Sequence, residues 1–185
     1  MWGSLDALVD ANGNRTSWTR DLEGRVTAET RADGTATQYG YEMTTAGLKT
    51  VTDRKGQVTT YDYFLDNVFK QKAYTNTTVA TPTVSATYDA TYPRLATMTD
   101  GTGTTSYGYL PVTPGQLGAG QLASVDGPLT NDTIMYTYDE LGRVASRAIN
   151  AVSQSTTYDA IGRVTGVTNV LGAFGYGYVG NSGRL

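Results

Sequence analysis

The chain of 185 residues contains 22 Gly and 14 Tyr, neither Cys nor His, and 17% charged residues with a net charge of −3. The lack of Cys and His excludes thiol nucleophiles, Ser-His triads and ordinary zinc sites. The net charge gives no basic surface for nucleic acid. The sequence contains neither an apolar run long enough for a membrane helix nor a signal-peptide pattern at its start. Catalysis would have to rely on carboxylates, Lys, Tyr or Thr. We expect no enzyme, no cofactor or metal, no nucleic-acid partner and no membrane insertion by this segment.

Short segments rich in Val, Thr and Tyr recur along the chain and predict β-strands. In chain order they include RVTAET from Arg25, TATQYGYE from Thr35, QVTTYDY from Gln57, TSYGYL from Thr105 and TIMYTYD from Thr133. Asp, Asn and Gly interrupt them where the chain would reverse, at Asp10, Asp33, Asp53, Asp100, Asp126 and Asn169. No stretch has the periodicity of an amphipathic helix. The pattern predicts an all-β chain.

A second kind of turn repeats with a period of about 19 to 27 residues, which is typical of a repeat architecture. Its phase marker is an Arg that comes just before an apolar residue, at Arg25, Arg94, Arg143, Arg163 and Arg184, with weaker matches at Ser4, Leu48, Asn67 and Gln121. Each unit then consists of strand, turn, strand and turn. The sequence predicts about eight consecutive antiparallel β-hairpins that form a curved or spiralling sheet.

Two insertions lengthen the connections between strands without marking a domain boundary. They lie near residues 75–83 and 110–120, and both are polar and contain Pro or Gly. We expect residues 1–185 to form a single repeat region. Because the chain starts and stops at the same phase of the repeat, we expect it to be a piece of a larger assembly, with open sheet edges through which it self-associates.

The stretch YTYDELGRV shows what each residue of the repeated turn would do. Tyr136 and Tyr138 are two positions apart and therefore share one face of a strand. Asp139 can accept a hydrogen bond from a backbone N–H inside the turn, and Gly142 can adopt a left-handed conformation. Arg143 opens the return strand within reach of an aspartate. These roles are structural.

Pairs of tyrosines two residues apart recur in the predicted strands. They are Tyr39 with Tyr41, Tyr61 with Tyr63, Tyr107 with Tyr109, Tyr136 with Tyr138, and Tyr176 with Tyr178. If successive hairpins pair in register, these rings form columns across the sheet and stabilise it by cross-strand packing. The alternative is that exposed rings stack on sugars, which would make the sheet a recognition surface.

The box and its period resemble the YD repeat, also called the RHS repeat, of bacterial Rhs and polymorphic toxins, Tc toxin complexes and animal teneurins. Tyr138-Asp139 with Gly142-Arg143 and Tyr158-Asp159 with Gly162-Arg163 match it closely. Partial matches are Tyr88-Asp89 with Arg94, Asp21 with Gly24-Arg25, and Gly183-Arg184. At Asp21 the preceding Tyr is replaced by Arg20. Together with the weaker matches, these boxes extend the repeat spacing over essentially the whole chain.

The resemblance implies a β-sheet that spirals into a hollow shell and, in toxin members, encloses a C-terminal toxic domain. It implies partners in the remaining repeats and the enclosed domain, and a secreted or cell-surface parent protein. The sequence shows neither the family's closing core segment nor a toxin domain. The hypothesis of a structural shell segment stands beside that of an extracellular module binding carbohydrate or protein. Catalysis by the Tyr-Asp pairs is disfavoured because a catalytic constellation converges once, whereas these pairs repeat.

Overall fold

The computed structural model describes residues 4–185, and the first three positions of the predicted repeat region lie outside the described residues. Within residues 4–185 the chain forms sixteen β-strands and no helix. The predicted all-β class and the predicted number of hairpins are therefore confirmed. No helix in this range is long and apolar enough to cross a membrane.

Two compact units divide the described chain. The first contains the residues up to Thr87 together with Thr99–Gly101. Its strands are β1 (Ala7–Val9), β2 (Arg15–Arg20), β3 (Val26–Thr30), β4 (Ala36–Tyr41), β5 (Leu48–Thr52), β6 (Val58–Tyr63), β7 (Phe69–Thr75) and most of β8 (Val84–Tyr88). Each pairs antiparallel with its neighbour in chain order. The unit is a meander of hairpins.

The second unit contains Tyr88–Met98 and Thr102–Leu185. Its strands are most of β9 (Leu95–Asp100), then β10 (Gly103–Tyr109), β11 (Leu122–Asp126), β12 (Ile134–Tyr138), β13 (Val144–Ile149), β14 (Val152–Tyr158), β15 (Val164–Asn169) and β16 (Gly172–Gly175). Strands β10 to β16 pair antiparallel in chain order. This unit is also a meander.

Hairpin loops of both kinds share one three-residue form. At Asp139 the Gly142 N–H donates to the Asp139 carbonyl at 3.0 Å, and the Asp139 N–H donates to the Arg143 carbonyl at 2.9 Å. Gly142 has a φ of 74°, which glycine adopts without the steric cost of a side chain. A loop of three residues with a left-handed last residue is a common hairpin connection. The same two backbone bonds recur in turns that begin at Asp10, Asp21, Arg31, Asp53, Phe64 and Asp159.

A β-bulge precedes the motif tyrosine in hairpin after hairpin. The register shifts between Thr19 and Arg20, Gly40 and Tyr41, Asp62 and Tyr63, Gly108 and Tyr109, Thr137 and Tyr138, and Thr157 and Tyr158. A bulge places two residues of one strand opposite one of the other, which bends the strand and redirects the side chains there. The bulges therefore set the direction of the motif side chains.

The two faces of the second unit carry different side chains. Val125, Ile134, Ile149 and Val152 lie opposite one another on four successive strands and form an apolar row. The row on the other face consists of Ser124, Met135, Ala148 and Ser153. Because facing residues of paired strands project to the same side, the sheet has one face rich in large apolar groups and one of mainly small side chains.

Burial is slight throughout residues 4–185, where Ala86 and Tyr138 are the only buried hydrophobic residues. Tyr138 owes its burial to the predicted insertion near residues 110–120, which connects β10 to β11. Gly118 of this loop lies so close to the Tyr138 ring that a Cβ at this position would overlap it. Most stabilisation must therefore come from contacts between adjacent strands.

The turn between β13 and β14 consists of Asn150 and Ala151, which have φ values of 49° and 66°. No turn was predicted here from the sequence. We predict that Ala151→Gly raises the free energy of unfolding by about 1 kcal/mol, because a left-handed conformation costs an alanine roughly that amount. Thermal unfolding monitored by circular dichroism measures the change.

Ala148→Gly in β13 is the matched control, since it removes the same methyl group from a residue in a strand, where glycine costs about 0.5–1 kcal/mol. A melting temperature that falls in both variants contradicts the prediction.

Candidate functional site: the arginine–tyrosine linkage between repeats

The residues of the box that follows Tyr138 each have a defined partner in the turn. The Asp139 Oδ1 atom accepts hydrogen bonds from the backbone N–H groups of Leu141 and Arg143, both at 2.9 Å. The Asp139 Oδ2 atom accepts from the Arg143 Nε at 2.7 Å. One carboxylate therefore holds the loop backbone with one oxygen and fixes the arginine side chain with the other.

The same pairing of aspartate with arginine occurs in four boxes. The Nε to Oδ2 distances are 2.6 Å for Arg25 with Asp21, 3.0 Å for Arg94 with Asp89, 2.7 Å for Arg143 with Asp139, and 2.6 Å for Arg163 with Asp159. These side chains are only partly exposed, so the aspartate orients the guanidinium as well as balancing its charge. Arginine orientation matters because each guanidinium contacts the next hairpin.

Each of these four guanidinium groups stacks on the motif tyrosine of the following hairpin. The distances from the guanidinium carbon to the ring centre are 4.7 Å for Arg25 with Tyr41, 4.2 Å for Arg94 with Tyr109, 4.4 Å for Arg143 with Tyr158, and 4.4 Å for Arg163 with Tyr178. Such cation–π contacts contribute about 0.5–1 kcal/mol at exposed sites. This contact was not predicted from the sequence. The nearly constant spacing from each arginine to the next tyrosine could have indicated it.

The hydroxyl group of the same tyrosine bonds back to the preceding hairpin. It donates to the carbonyl of the residue that follows the arginine, from Tyr41 to Val26, Tyr109 to Leu95, Tyr158 to Val144 and Tyr178 to Val164, at 2.8–2.9 Å. Tyr63 and Tyr138 make the same bond to Leu48 and Leu122. Ring and hydroxyl together link each repeat to the one before.

Substituted boxes keep part of this linkage through other side chains. Arg20 stands in the tyrosine position and its Nη2 donates to the Leu5 carbonyl at 3.3 Å, so a guanidinium replaces the phenol as donor. Gln121 stands in the arginine position and its Nε2 donates to the Gly142 carbonyl at 3.1 Å. The position of the donor is thus retained even where the residue type changes.

The remaining box residues lie in turns or at the end of a strand. Gly162 has a φ of 87° and Gly24 one of 82°, so both are the left-handed residues of their loops. Tyr88 ends β8. Gly183 and Arg184 follow β16, in a turn where the Val179 N–H donates to the Arg184 carbonyl at 2.9 Å.

The first tyrosine of each pair lies opposite a residue that is not aromatic. Tyr39 faces Val51, Tyr61 faces Lys72, Tyr107 faces Val125 and Tyr136 faces Arg147. The paired tyrosines occur on alternate strands, so a strand without them intervenes. Tyr176 follows β16 and its N–H donates to the Thr165 carbonyl at 2.9 Å.

Hydrogen bonding lowers the pKa of the box aspartates. Burial raises the pKa of Asp139 and Asp159, but hydrogen bonds from the arginine of the same box outweigh it, and both values lie below the ordinary one. For Asp89 the largest cause of its lowered pKa is the hydrogen bond from the Thr91 backbone. These carboxylates are therefore ionised at neutral pH. Among residues 4–185, no three acidic side chains lie close enough to hold a metal ion.

A family model and several solved structures match this chain. Residues 7–36 match the RHS repeat family model. Residues 7–36 therefore carry an RHS repeat. The family resemblance predicted from the boxes is thereby confirmed, while no curated protein matches the chain.

Solved structures share the fold of this chain. The crystal structure of TcdB2-TccC3-Cdc42 is 18% identical with a TM-score of 0.66, over 84% of this chain and 9% of that one. That of TcdB2-TccC3 without hypervariable C-terminal region is 18% identical with a TM-score of 0.67, over the same shares of the two chains. A third, TcdB2-TccC3-TEV, is 16% identical with a TM-score of 0.63, over 82% and 9%. The chain thus spans about a tenth of the length of the solved chains.

We predict that Arg143→Ala lowers the free energy of unfolding by about 1–2 kcal/mol, because it removes both the ion pair with Asp139 and the stack on Tyr158. Urea denaturation measures the loss. Arg147→Ala is the matched control: Arg147 is exposed and forms no ion pair within the described residues, so its removal should change stability by less than about 0.5 kcal/mol. Equal losses in the two variants would contradict a linkage role.

We also predict that acid weakens the fold through Asp139 and Asp159. A carboxyl with a lowered folded-state pKa stabilises the fold above its unfolded pKa of about 3.9, and this contribution disappears as the pH falls through the folded value. Urea denaturation at neutral and at acid pH should therefore show a smaller pH-dependent loss in the double variant Asp139→Asn, Asp159→Asn. Glu140→Gln, at an exposed loop residue, should keep the loss of the parent chain.

Proposed function

We propose that this chain is a non-catalytic structural segment of an RHS-repeat shell that encloses a C-terminal toxin or effector domain. The observation that carries the proposal is the linkage in which the arginine of one hairpin stacks on the tyrosine of the next. Arg143 and Tyr158 form one link, and Arg163 and Tyr178 form the following one. A linkage that joins each repeat to its neighbour suits a continuous wall.

The chemistry of the boxes favours a structural role over catalysis. Asp139 has each of its oxygens occupied by hydrogen bonds, and the Tyr158 hydroxyl donates to the Val144 carbonyl. An acid–base pair needs groups that are accessible to a substrate. The same arrangement recurs at Asp159 and Tyr178. The residues that most resemble a catalytic pair therefore form hydrogen bonds that stabilise the sheet.

The partners proposed for this segment are the remaining repeats of the shell and the enclosed domain. One solved neighbour is described as TcdB2-TccC3 without hypervariable C-terminal region, and a variable C-terminal region is in keeping with a shell that carries different C-terminal cargo. By family resemblance, the parent protein is secreted or displayed at the cell surface. The different faces of the second unit suit a wall with one side toward the cargo and the other toward solvent.

The structure gives less support to a sugar-binding sheet. Tyr41, Tyr109, Tyr158 and Tyr178 each have an arginine stacked on the ring. Because the arginine occupies one face of each ring, these tyrosines are poorer candidates for stacking on a sugar than rings with two free faces. We therefore propose no glycan partner.

The test is limited proteolysis of the longest natural polypeptide that carries this chain. We expect the region that follows the repeats to resist protease in the parent protein and to be cleaved at least several-fold faster in the double variant Arg143→Ala, Arg163→Ala. The control variant Arg147→Ala should protect that region as the parent does. Equal cleavage of the region in the parent and the double variant would contradict enclosure, and so would reproducible glycan binding that Tyr→Ala changes abolish.

A further inference from the structure

A shallow groove lies on the second unit where β13, β14 and the turn between β15 and β16 meet. Its volume is about 280 Å³, close to the lower end of the range for small-molecule sites. Four apolar side chains line it, with relative exposures of 40% for Ile149, 55% for Val152, 76% for Val170 and 83% for Leu171. Contiguous apolar groups at a surface indicate a binding site, so the groove offers an apolar floor to a ligand.

Polar side chains lie one strand step away from these apolar ones. Arg147 and Gln154 face each other on the paired strands β13 and β14. They stand two residues from Ile149 and Val152 and therefore project to the same face of the sheet. Asn169 also lines the groove. Because guanidinium and amide groups donate hydrogen bonds, the groove has an end with several donors beside its apolar end.

The charge of Arg147 is not balanced within the groove. Arg147 is exposed and forms neither an ion pair nor a hydrogen bond among residues 4–185, and none of the described residues that line the groove is acidic. The repeat itself does not require an arginine here. In two other hairpins the corresponding position is a valine, Val51 opposite Tyr39 and Val125 opposite Tyr107. An unpaired cation beside apolar groups is complementary to an anion that carries an apolar part.

The backbone around the groove favours an alkyl chain over a peptide. Strands β13 and β14 each pair with a neighbour on both sides, so their backbone groups are engaged in the sheet. Peptide amides that faced Ile149 and Val152 would lose water without gaining a hydrogen-bond partner, which costs free energy. An alkyl chain has no such groups. A straight-chain carboxylate therefore fits both the charge and the floor of the groove.

We propose that this groove binds a straight-chain aliphatic carboxylate. The carboxylate accepts hydrogen bonds from the Arg147 guanidinium and the Gln154 amide, and the alkyl chain lies over Val152 toward Leu171. The charge-assisted bonds fix the position of the headgroup, while burial of the chain provides most of the binding free energy. The site is separate from the linkage between repeats, because Arg147 is not one of the arginines that stack on a tyrosine of the next hairpin.

A nuclear magnetic resonance titration with sodium octanoate, below the concentration at which it forms micelles, tests the site. We expect saturable shifts of backbone amide signals in β13 and β14. Octylammonium has the same chain with the opposite charge, and acetate has the same headgroup without the chain. Each should bind at least about tenfold more weakly than octanoate, because each lacks one of the two complementary features.

Two variants separate the headgroup contact from the chain contact. Arg147→Gln should lower the affinity for octanoate at least about fivefold and remove the preference over octylammonium, whereas Leu171→Ser should weaken the binding of both. Arg15→Gln, at an exposed arginine of β2, and Met135→Ser, at a 59% exposed residue on the other face of β12, are the matched controls and should bind octanoate as the parent does. Circular dichroism establishes that the variants fold.

Three outcomes would overturn the proposal. The first is an octanoate affinity that Arg147→Gln leaves unchanged, which would indicate adsorption to apolar surface without recognition of the carboxylate. The second is the absence of saturable shifts at every concentration tested. The third is tighter binding of an N-acetylated leucine peptide with a free carboxylate than of octanoate, which would assign the groove to the C-terminus of a polypeptide.

Discussion

The lack of a buried core is the constraint on which this structure depends. Only Ala86 and Tyr138 are buried among the hydrophobic residues of 4–185, so apolar burial contributes little to the stability of either unit. A protein of this kind is stabilised mainly by contacts between neighbouring repeats, in the manner of other repeat proteins. The link from Arg143 to Tyr158 is such a contact, because it joins the turn of one hairpin to a strand of the next.

The linkage combines interactions that are individually weak. A partly exposed ion pair contributes little alone, but Asp139 also fixes the direction of the Arg143 side chain, which positions it over the Tyr158 ring. The tyrosine hydroxyl then satisfies a backbone carbonyl that follows the arginine. Where the tyrosine or the arginine of a box is replaced, a hydrogen bond to a backbone carbonyl is kept. Arg20 donates to the Leu5 carbonyl, and Gln121 donates to the Gly142 carbonyl.

Local sequence signals predicted the turns better than the contacts between hairpins. The roles of Asp139 and Gly142 follow from side-chain hydrogen bonding and from glycine's freedom, both of which act within five residues. The turn at Asn150 and Ala151 escaped detection because alanine is unusual at a positive φ. The stack of Arg143 on Tyr158 joins residues from different hairpins. It depends on strand register and on the bulge before Tyr158, neither of which a local pattern specifies.

The sequence by itself determined the all-β class, the number of hairpins and the resemblance to a repeat family, because alternation, turn residues and period are properties of short segments. The tertiary structure alone decided which groups meet across strands. It paired Tyr136 with Arg147 rather than with another tyrosine, covered Tyr138 with the loop that contains Gly118, and placed the exposed Leu22 and Leu65 in turns at the same end of the strands. Register and the path of inserted loops bring distant residues together, and these depend on the packing of the whole sheet.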